Sequence, residues 1–260
     1  MHATKASIGQ RAHPLTGTFL EGRLRHDLSE REKDMLEGLV AEVIELEGDH
    51  RLIAAGDMPG HSTMLIDGFM LRTLENHNSR HAVSCHVPGD FVDLHCFALK
   101  KLDHNIDCVG RAKVGLVPHE RLREIMDDEP HLAHVLWFST LLDAAIHREW
   151  IMKLEQLQAP QRIAHIVCEI WHRLDMVGRA RPDGFDTPLR QSDLGEMIGA
   201  SAVHTNRALM ELKQAGLMSF AHNRVQFGNR TALEAYATFD TGYLYKNSGI
   251  SLSVDGMGGG

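Results

Sequence analysis

The sequence predicts an α+β chain: an antiparallel β-roll first, then a long helix, and last a small helical unit carrying a two-stranded ribbon. Three observations carry this. Between residues 43 and 117, short apolar clusters alternate with turn residues such as Gly48-Asp49, Met58-Pro59-Gly60, Asn76-His77-Asn78-Ser79 and Pro88-Gly89-Asp90. Their spacing of roughly 8–12 residues is that of a sandwich or roll. Between Pro130 and Gln158 an unbroken helical pattern runs through Leu132, Val135, Leu136, Leu142, Ile146, Trp150, Leu154 and Leu157. After Pro160 helical periodicity returns in short pieces, separated by a glycine turn and followed by two short strand-like runs.

The 260 residues suit two modest domains or one large one. With 43% hydrophobic and 24% charged residues, neither a disordered nor a fibrous chain is expected. The 27 Lys and Arg against 35 Asp and Glu leave a formal charge of −8, which excludes a surface that is polyanion-binding all over but allows one local positive face. No apolar run approaches the roughly 18–20 residues a membrane span needs, and no signal core follows Met1, so a cytoplasmic protein with no membrane partner is expected. Cys85, Cys96, Cys108 and Cys168 form no C-x-x-C pair, which argues against a zinc knuckle and a disulfide scaffold; reduced thiols follow.

In chain order, residues 1–28 lack periodicity and read as a flexible lead-in. Ser29 and Glu32 have the spacing of a capping box ahead of Met35, Leu36, Leu39, Val40 and Val43, so a helix opens the roll unit, residues 29–129. The helix over 130–158 would be about 40 Å long at 1.5 Å per residue, more than its own unit needs. It is therefore assigned as a dimerisation helix in which Leu132, Val135, Leu136, Leu142 and Ile146 meet a second copy; packing on its own unit alone is the alternative. A hinge near Ala159-Pro160 leads into a C-terminal unit over 159–240. It opens with a helix bearing Ile163, Ile166, Val167 and Ile170, and residues 178–188 form a surface loop. Residues 241–260 are a tail.

The most informative stretch lies between Leu189 and Leu217. A short helix around Ser192 to Ile198 turns Leu194, Met197 and Ile198 inward, Gly199-Ala200 makes a tight turn, and Ser201 caps a second helix held by Thr205, Leu209 and Leu212. This is a helix-turn-helix pattern. Its outer face shows Ala202, Val203, His204, Asn206, Arg207 and Lys213, with Arg190 and Gln191 at the start of the first helix. The fork of Arg207 matches guanine O6 and N7, and Asn206 matches a base edge or a phosphate. Residues 217–220 and 224–227 then form a ribbon about Ala221-His222-Asn223, with His222 and Arg224 near its tip. A bare helix-turn-helix is equally an αα corner of a structural domain; the ribbon in this order favours a winged helix that binds double-stranded DNA. Arg230 adds a cation, and Thr231 and Glu234 have the spacing of a closing capping box.

These residues resemble the CRP/FNR family of bacterial transcription regulators over nearly the whole chain after residue 30. The most specific matches are Gln191-Ser192-Asp193-Leu194-Gly195, Gly199-Ala200-Ser201, Asn206-Arg207-Ala208-Leu209 and Gly216-Leu217, with Arg162-Ile163-Ala164 and the closing Phe239-Asp240 and Tyr243-Leu244. The resemblance implies a cyclic-nucleotide-binding-like β-roll, a dimerisation helix, a winged helix acting on palindromic promoter DNA, and RNA polymerase as partner. Arg207 falls at the family's base-contacting arginine. Val203 departs from the glutamate of many members and offers only apolar contact, for example to a thymine methyl.

For the sensor, Val87-Pro88-Gly89-Asp90-Phe91-Val92-Asp93 resembles the start of the family's phosphate-binding cassette, making Gly89, Asp90 and Asp93 ligand candidates. No Arg-Ser or Arg-Thr pair follows, so cyclic AMP is not expected and the effector is undefined. The absence of any cysteine before Cys85 disfavours an N-terminal iron–sulfur cluster. Eighteen histidines, with His86, His95, Cys85, Cys96 and Cys108 in the roll, keep a haem- or metal-sensing regulator as the alternative. Without H-x-H, C-x-x-C or H-E-x-x-H spacing, no metal ligand and no cofactor is assigned. A cupin-like metal enzyme would need clustered donors, and His61, His77, His81, His86 and His95 are scattered; no catalytic residue is assigned and the chain is not expected to be an enzyme. Regulation without any small ligand also stays open.

Overall fold

The structure, a computed structural model, describes residues 12–76 and 79–246. Helix α1 (Glu30–Leu39) begins at the expected capping box: Ser29 Oγ accepts from the Glu32 N–H, and the Glu32 carboxylate accepts from the Ser29 N–H at 2.8 Å. Strands β1 (Glu42–Leu46), β2 (His50–Ile53), β3 (His61–Asn76) and β4 (Ser79–His86) follow. Then come the single turn α2 (Cys96–Leu99) and strand β5 (Asn105–Pro118). All pairings are antiparallel in the order β1-β5-β3-β4, with β2 also on β5. Register shifts bend β3 along β5, and the described strands do not close into a barrel. One face of the sheet encloses Leu65, Met70, Val92, Ile106 and Val114; the other joins the larger core beneath the helices.

Helix α3 (His119–Asp128), which the sequence pattern does not reveal, leads into α4 (Pro130–Gln156), whose first residue Pro130 needs no N–H partner. Leu132, Val135, Leu136, Leu142 and Ile146 are all buried in the chain's own core, so the five residues assigned to a second copy are already used within the protomer. The apolar residues that α4 leaves exposed are Trp137, Leu141, Ile151 and Leu154.

The lead-in also departs from expectation. Residues 1–11 lie outside the described residues, but residues 12–28 pack tightly. Phe19 is buried edge-on against Phe91, Leu20, Leu24 and Leu28 enter the core, and the Glu37 carboxylate accepts from the Leu15 and Thr16 N–H groups, each at 2.9 Å. Arg23 Nε donates to the Leu244 carbonyl at 2.8 Å, tying this segment to the last described turns. Partners more than twenty residues away fold it, and no local period announces such partners.

The C-terminal unit comprises α5 (Ala159–Met176), β6 (Gly184–Asp186), α6 (Gln191–Ile198), α7 (Ala202–Gln214), β7 (Met218–Ala221), β8 (Arg224–Phe227) and α8 (Arg230–Tyr236). The stretch read as a loop thus supplies a third strand, and the ribbon becomes a sheet of order β6-β8-β7, because Phe185 is buried against it. Asn229, not Thr231, caps α8: its side chain accepts from the Ala232 N–H at 3.0 Å, placing Thr231 in the first turn. The expected tail begins with a short turn of helix, Gly242–Leu244, which buries Leu244; residues 247–260 are outside the described residues.

Candidate nucleic-acid interface

Helices α6 and α7 cross at a point where a side chain on Gly195 would lie 2.9 Å from Thr205 Oγ1, so this glycine sets how closely they approach. Gly199 ends α6 at φ +64°, the left-handed conformation the turn demands. Ser201 then caps α7 by accepting from the His204 N–H, and Thr205, Ala208, Leu209 and Leu212 turn inward against α5 and α6. What remains outside is a continuous exposed face: Ala202, Val203, His204, Asn206, Arg207, Met210 and Lys213. Val203 is 69% exposed. Arg207 and Lys213 make no ion pair among the described residues, so their charge is unspent. Met210, one turn beyond Arg207, belongs to this face; its i+3 spacing from Arg207 is the signal that sequence reasoning passed over.

The other candidates are placed less simply. Gln191 is exposed at the start of α6. Arg190 is exposed but ion-paired with Asp49 in the β1–β2 turn, whose carboxylate also accepts from the Gly110 N–H at 3.0 Å. His222 and Asn223 both have left-handed φ, +53° and +56°, as a tight turn of the primed kind requires, and hold His222 exposed at the ribbon tip. Arg224 reaches sideways to Asp183 at 2.7 Å. Arg230 lies over the Trp171 ring at 4.1 Å and beside Glu234, so it serves the fold.

The three cassette candidates face inward. Gly89 and Asp90 line a cavity with Thr18, Phe19, Leu20, Arg23, His86 and Arg173, and only about 30 Å³ of it is left open, room for a water or two. Burial pushes the Asp90 carboxyl up, but Arg173, His86 and the Val87 N–H outweigh it and hold it well below the usual carboxylate range. Asp93 is wholly buried, where its carboxylate accepts from the Thr63 backbone N–H and, at 3.1 Å, from the Thr63 hydroxyl.

Sequence reasoning missed the residues that join the two halves. Arg173 of α5 donates to the Cys85 carbonyl at 2.9 Å and pairs with Glu169 at 3.1 Å and with Asp90. Glu169 also accepts from Trp150 Nε1 at 3.1 Å and from the Tyr243 hydroxyl at 2.9 Å. Arg80 of β4 bridges Asp107 of β5 to Glu196 of α6, at 3.2 and 2.8 Å. Glu169 and Arg173 stand four apart on α5, a spacing that sequence can show, but the other members of these pairs lie far apart in the chain.

Cys85, Cys96, Cys108 and Cys168 are buried free thiols, and burial pushes the Cys85 thiol up to about 12. Of the scattered histidines, His61 opens β3, His81 is exposed on β4, His86 is buried on β4, and His77 lies outside the described residues. His95 instead converges with Asp103 and His104.

Comparison with known proteins adds the following. A family model described as a Crp-like helix-turn-helix domain matches residues 161–236. The chain is 24% identical over 180 residues to the transcriptional activator protein FnrL of Cereibacter sphaeroides, covering 66% of this chain and 71% of that protein. Among solved structures, FixK2 from Bradyrhizobium japonicum matches with a TM-score of 0.69 at 20% identity, covering 76% of this chain and 98% of that one. TTHA1359, a CRP/FNR-family transcriptional regulator from Thermus thermophilus, matches at 0.61 and 13% identity, with 76% and 98% covered.

Proposed function

We propose that this chain is a DNA-binding transcription regulator of the CRP/FNR family, and that it works in the cytoplasm as a homodimer reading palindromic promoter sites. Each α7 enters a major groove, with half-sites about one helical turn apart. Arg207 specifies sequence through a guanine edge, while Val203 and Met210 add apolar contact beside it. Asn206, Lys213, Gln191 and the ribbon-tip His222 fix the register on sugar and phosphate. Arg190 and Arg224 join that contact only after exchanging Asp49 and Asp183 for phosphate.

The second copy docks on the exposed seam of α4. His134, Trp137, Leu141, Ala144, Arg148 and Ile151 follow alternating steps of three and four, the repeat of a two-helix seam, on a different face from the one the chain buries itself. Trp137 and Ile151 are 60% and 66% exposed, which a solitary chain pays for in hydration. RNA polymerase is the further partner that the family implies. The small cavity beside Gly89 and Asp90 supports a regulator not governed by a cyclic nucleotide at that position.

The observation that carries the DNA reading is the unspent Arg207 in the middle of the exposed α7 face. Selection of bound sites from a random DNA pool tests it, with Arg207→Ala run in parallel. A palindrome enriched by the wild type alone supports the reading. Equal enrichment by the variant, or none by either protein, overturns it.

A further inference from the structure

In the sheet unit three donors meet that neither the fold nor the DNA-binding face uses. His95 precedes the single turn α2, and Asp103 and His104 stand just ahead of β5. One ligand atom from each lies within 4.8 Å of the other two. The two imidazole rings are 5.2 Å apart between centroids and tilted by 42°, so they approach without stacking.

The state of His104 points to a missing partner. Its Nδ1 and Asp103 Oδ1 are 2.7 Å apart, a contact that fixes the ring and, with the proton on Nδ1, leaves the lone pair on Nε2. The residue is only 7% exposed, and Nε2 is buried with no hydrogen-bond partner among the described residues. A buried polar nitrogen left unpaired is costly, and native folds rarely keep one without a use. The Asp103 side chain is 84% exposed, so the group opens to solvent on one side.

We propose that His95 and His104, the latter oriented through Nδ1 by Asp103, form a binding site for one divalent transition-metal ion of the kind that imidazole favours, such as Zn²⁺. Two imidazoles suit zinc, nickel or cobalt rather than the hard ions magnesium and calcium, the Asp103 carboxylate raises the basicity of His104 from behind, and the remaining positions are left for water. The surroundings fit this choice. Burial and the neighbouring Arg72 keep both rings neutral at pH 7, which is the form that ligates. Arg72 does not leave its charge uncompensated beside them: it pairs with Asp143 of α4 at 2.5 Å and donates to the Val92 carbonyl at 2.7 Å. A dication next to Arg72 would therefore act on an ion pair that reaches the long helix. The site goes beyond the DNA-binding reading and stands without it.

The test uses the full chain, stripped with a chelator and titrated with Zn²⁺ by calorimetry, with Co²⁺ absorption as a second probe of the ligand set. One ion per chain is expected for the wild type, with binding lost in His95→Ala and in His104→Gln. Asp103→Asn, which keeps a hydrogen-bond acceptor for His104, is expected to weaken binding about 10–100-fold. Thermal melts establish that each variant is folded, and if His104→Gln does not fold, the half-buried His95 decides alone. No uptake by the wild type overturns the proposal. So does uptake of undiminished affinity in folded His95→Ala, which would place the ion among the other histidines.

Discussion

Arg207 and Arg173 both sit on helices of the C-terminal unit, yet one keeps its charge and the other spends it. Arg207 stands exposed on α7 with no ion pair among the described residues, flanked by Val203 and Met210. Arg173 is 3% exposed on α5, enclosed by Glu169, Asp90 and the Cys85 carbonyl, with the lead-in's Arg23 close by. An arginine whose fork is filled by its own chain is architecture, whereas an unfilled fork on a convex face is available to a partner. The overall charge of −8 hides this contrast completely.

The largest effect that sharpens the comparison is on stability. Arg173→Met leaves Asp90 and Glu169 buried without their cation, and removing one partner of a buried pair costs about 3–5 kcal/mol. Denaturant titration should show that loss, together with loosening of α5 from the sheet. A change under about 1 kcal/mol would mean that the junction is not held by this ion cluster. Arg207→Ala should do the reverse. Unfolding should be unchanged within about 0.5 kcal/mol, while the selected DNA site is bound more weakly by about 1–3 kcal/mol at each half-site, with specificity relaxed at that base pair.

Another buried cation breaks the simple pairing rule. Lys153 of α4 is fully buried with no hydrogen-bond partner for Nζ among the described residues, and it lies 3.5 Å from the centre of the Trp150 ring. Burial pulls its pKa down from 10.5 to about 7. The unfolded chain therefore holds this proton more tightly, so the penalty is full below pH 7 and is relieved as pH rises from about 7 towards 10.5. At about 1.4 kcal/mol per unit the full penalty below pH 7 is about 5 kcal/mol, and the ring returns about 2. Lys153→Met should thus stabilise the fold by about 3 kcal/mol below pH 7, with the gain shrinking as pH rises to 9.5. A gain independent of pH would show that Lys153 titrates normally.

The same contrast explains what the sequence could disclose. The helix-turn-helix is built from neighbours in sequence: the Ser201 cap, the Gly199 turn and the periodicity of Leu194, Ile198, Thr205, Leu209 and Leu212 are all local. The α4 helix was legible in extent but not in orientation, because Leu132, Val135, Leu136, Leu142 and Ile146 and the set Trp137, Leu141 and Ile151 are two apolar stripes on one helix. Periodicity finds both and cannot say which one the chain keeps for itself. Residues 12–28, the ion cluster around Arg173 and the grouping of His95 with Asp103 and His104 depend on contacts across the fold. Apart from Glu169 and Arg173, four apart on α5, their members carry no spacing rule, and a search for H-x-H or C-x-x-C passes over them.

The smallest effect tests a residue that lies between the two classes. Arg190 is exposed at the start of α6, where a phosphate contact is proposed, yet it is paired with Asp49 of the sheet unit. An exposed pair of this kind contributes about 0–1 kcal/mol, so DNA can compete for the arginine and the pair should act as a weak brake. Asp49→Ala also removes the acceptor of the Gly110 N–H, so Asp49→Asn, which keeps an acceptor and drops the charge, is the cleaner variant. Freed from its partner, Arg190 should raise affinity for the selected site about two- to fivefold at low salt, with no gain once Arg190 is replaced by Ala in the same chain. The gain should shrink as salt rises, since the competing phosphate contact is itself screened. An equal gain in the Arg190→Ala background would place the effect of Asp49 in the general negative field of the sheet unit, and Arg190 would then belong with Arg173 as a residue of the fold.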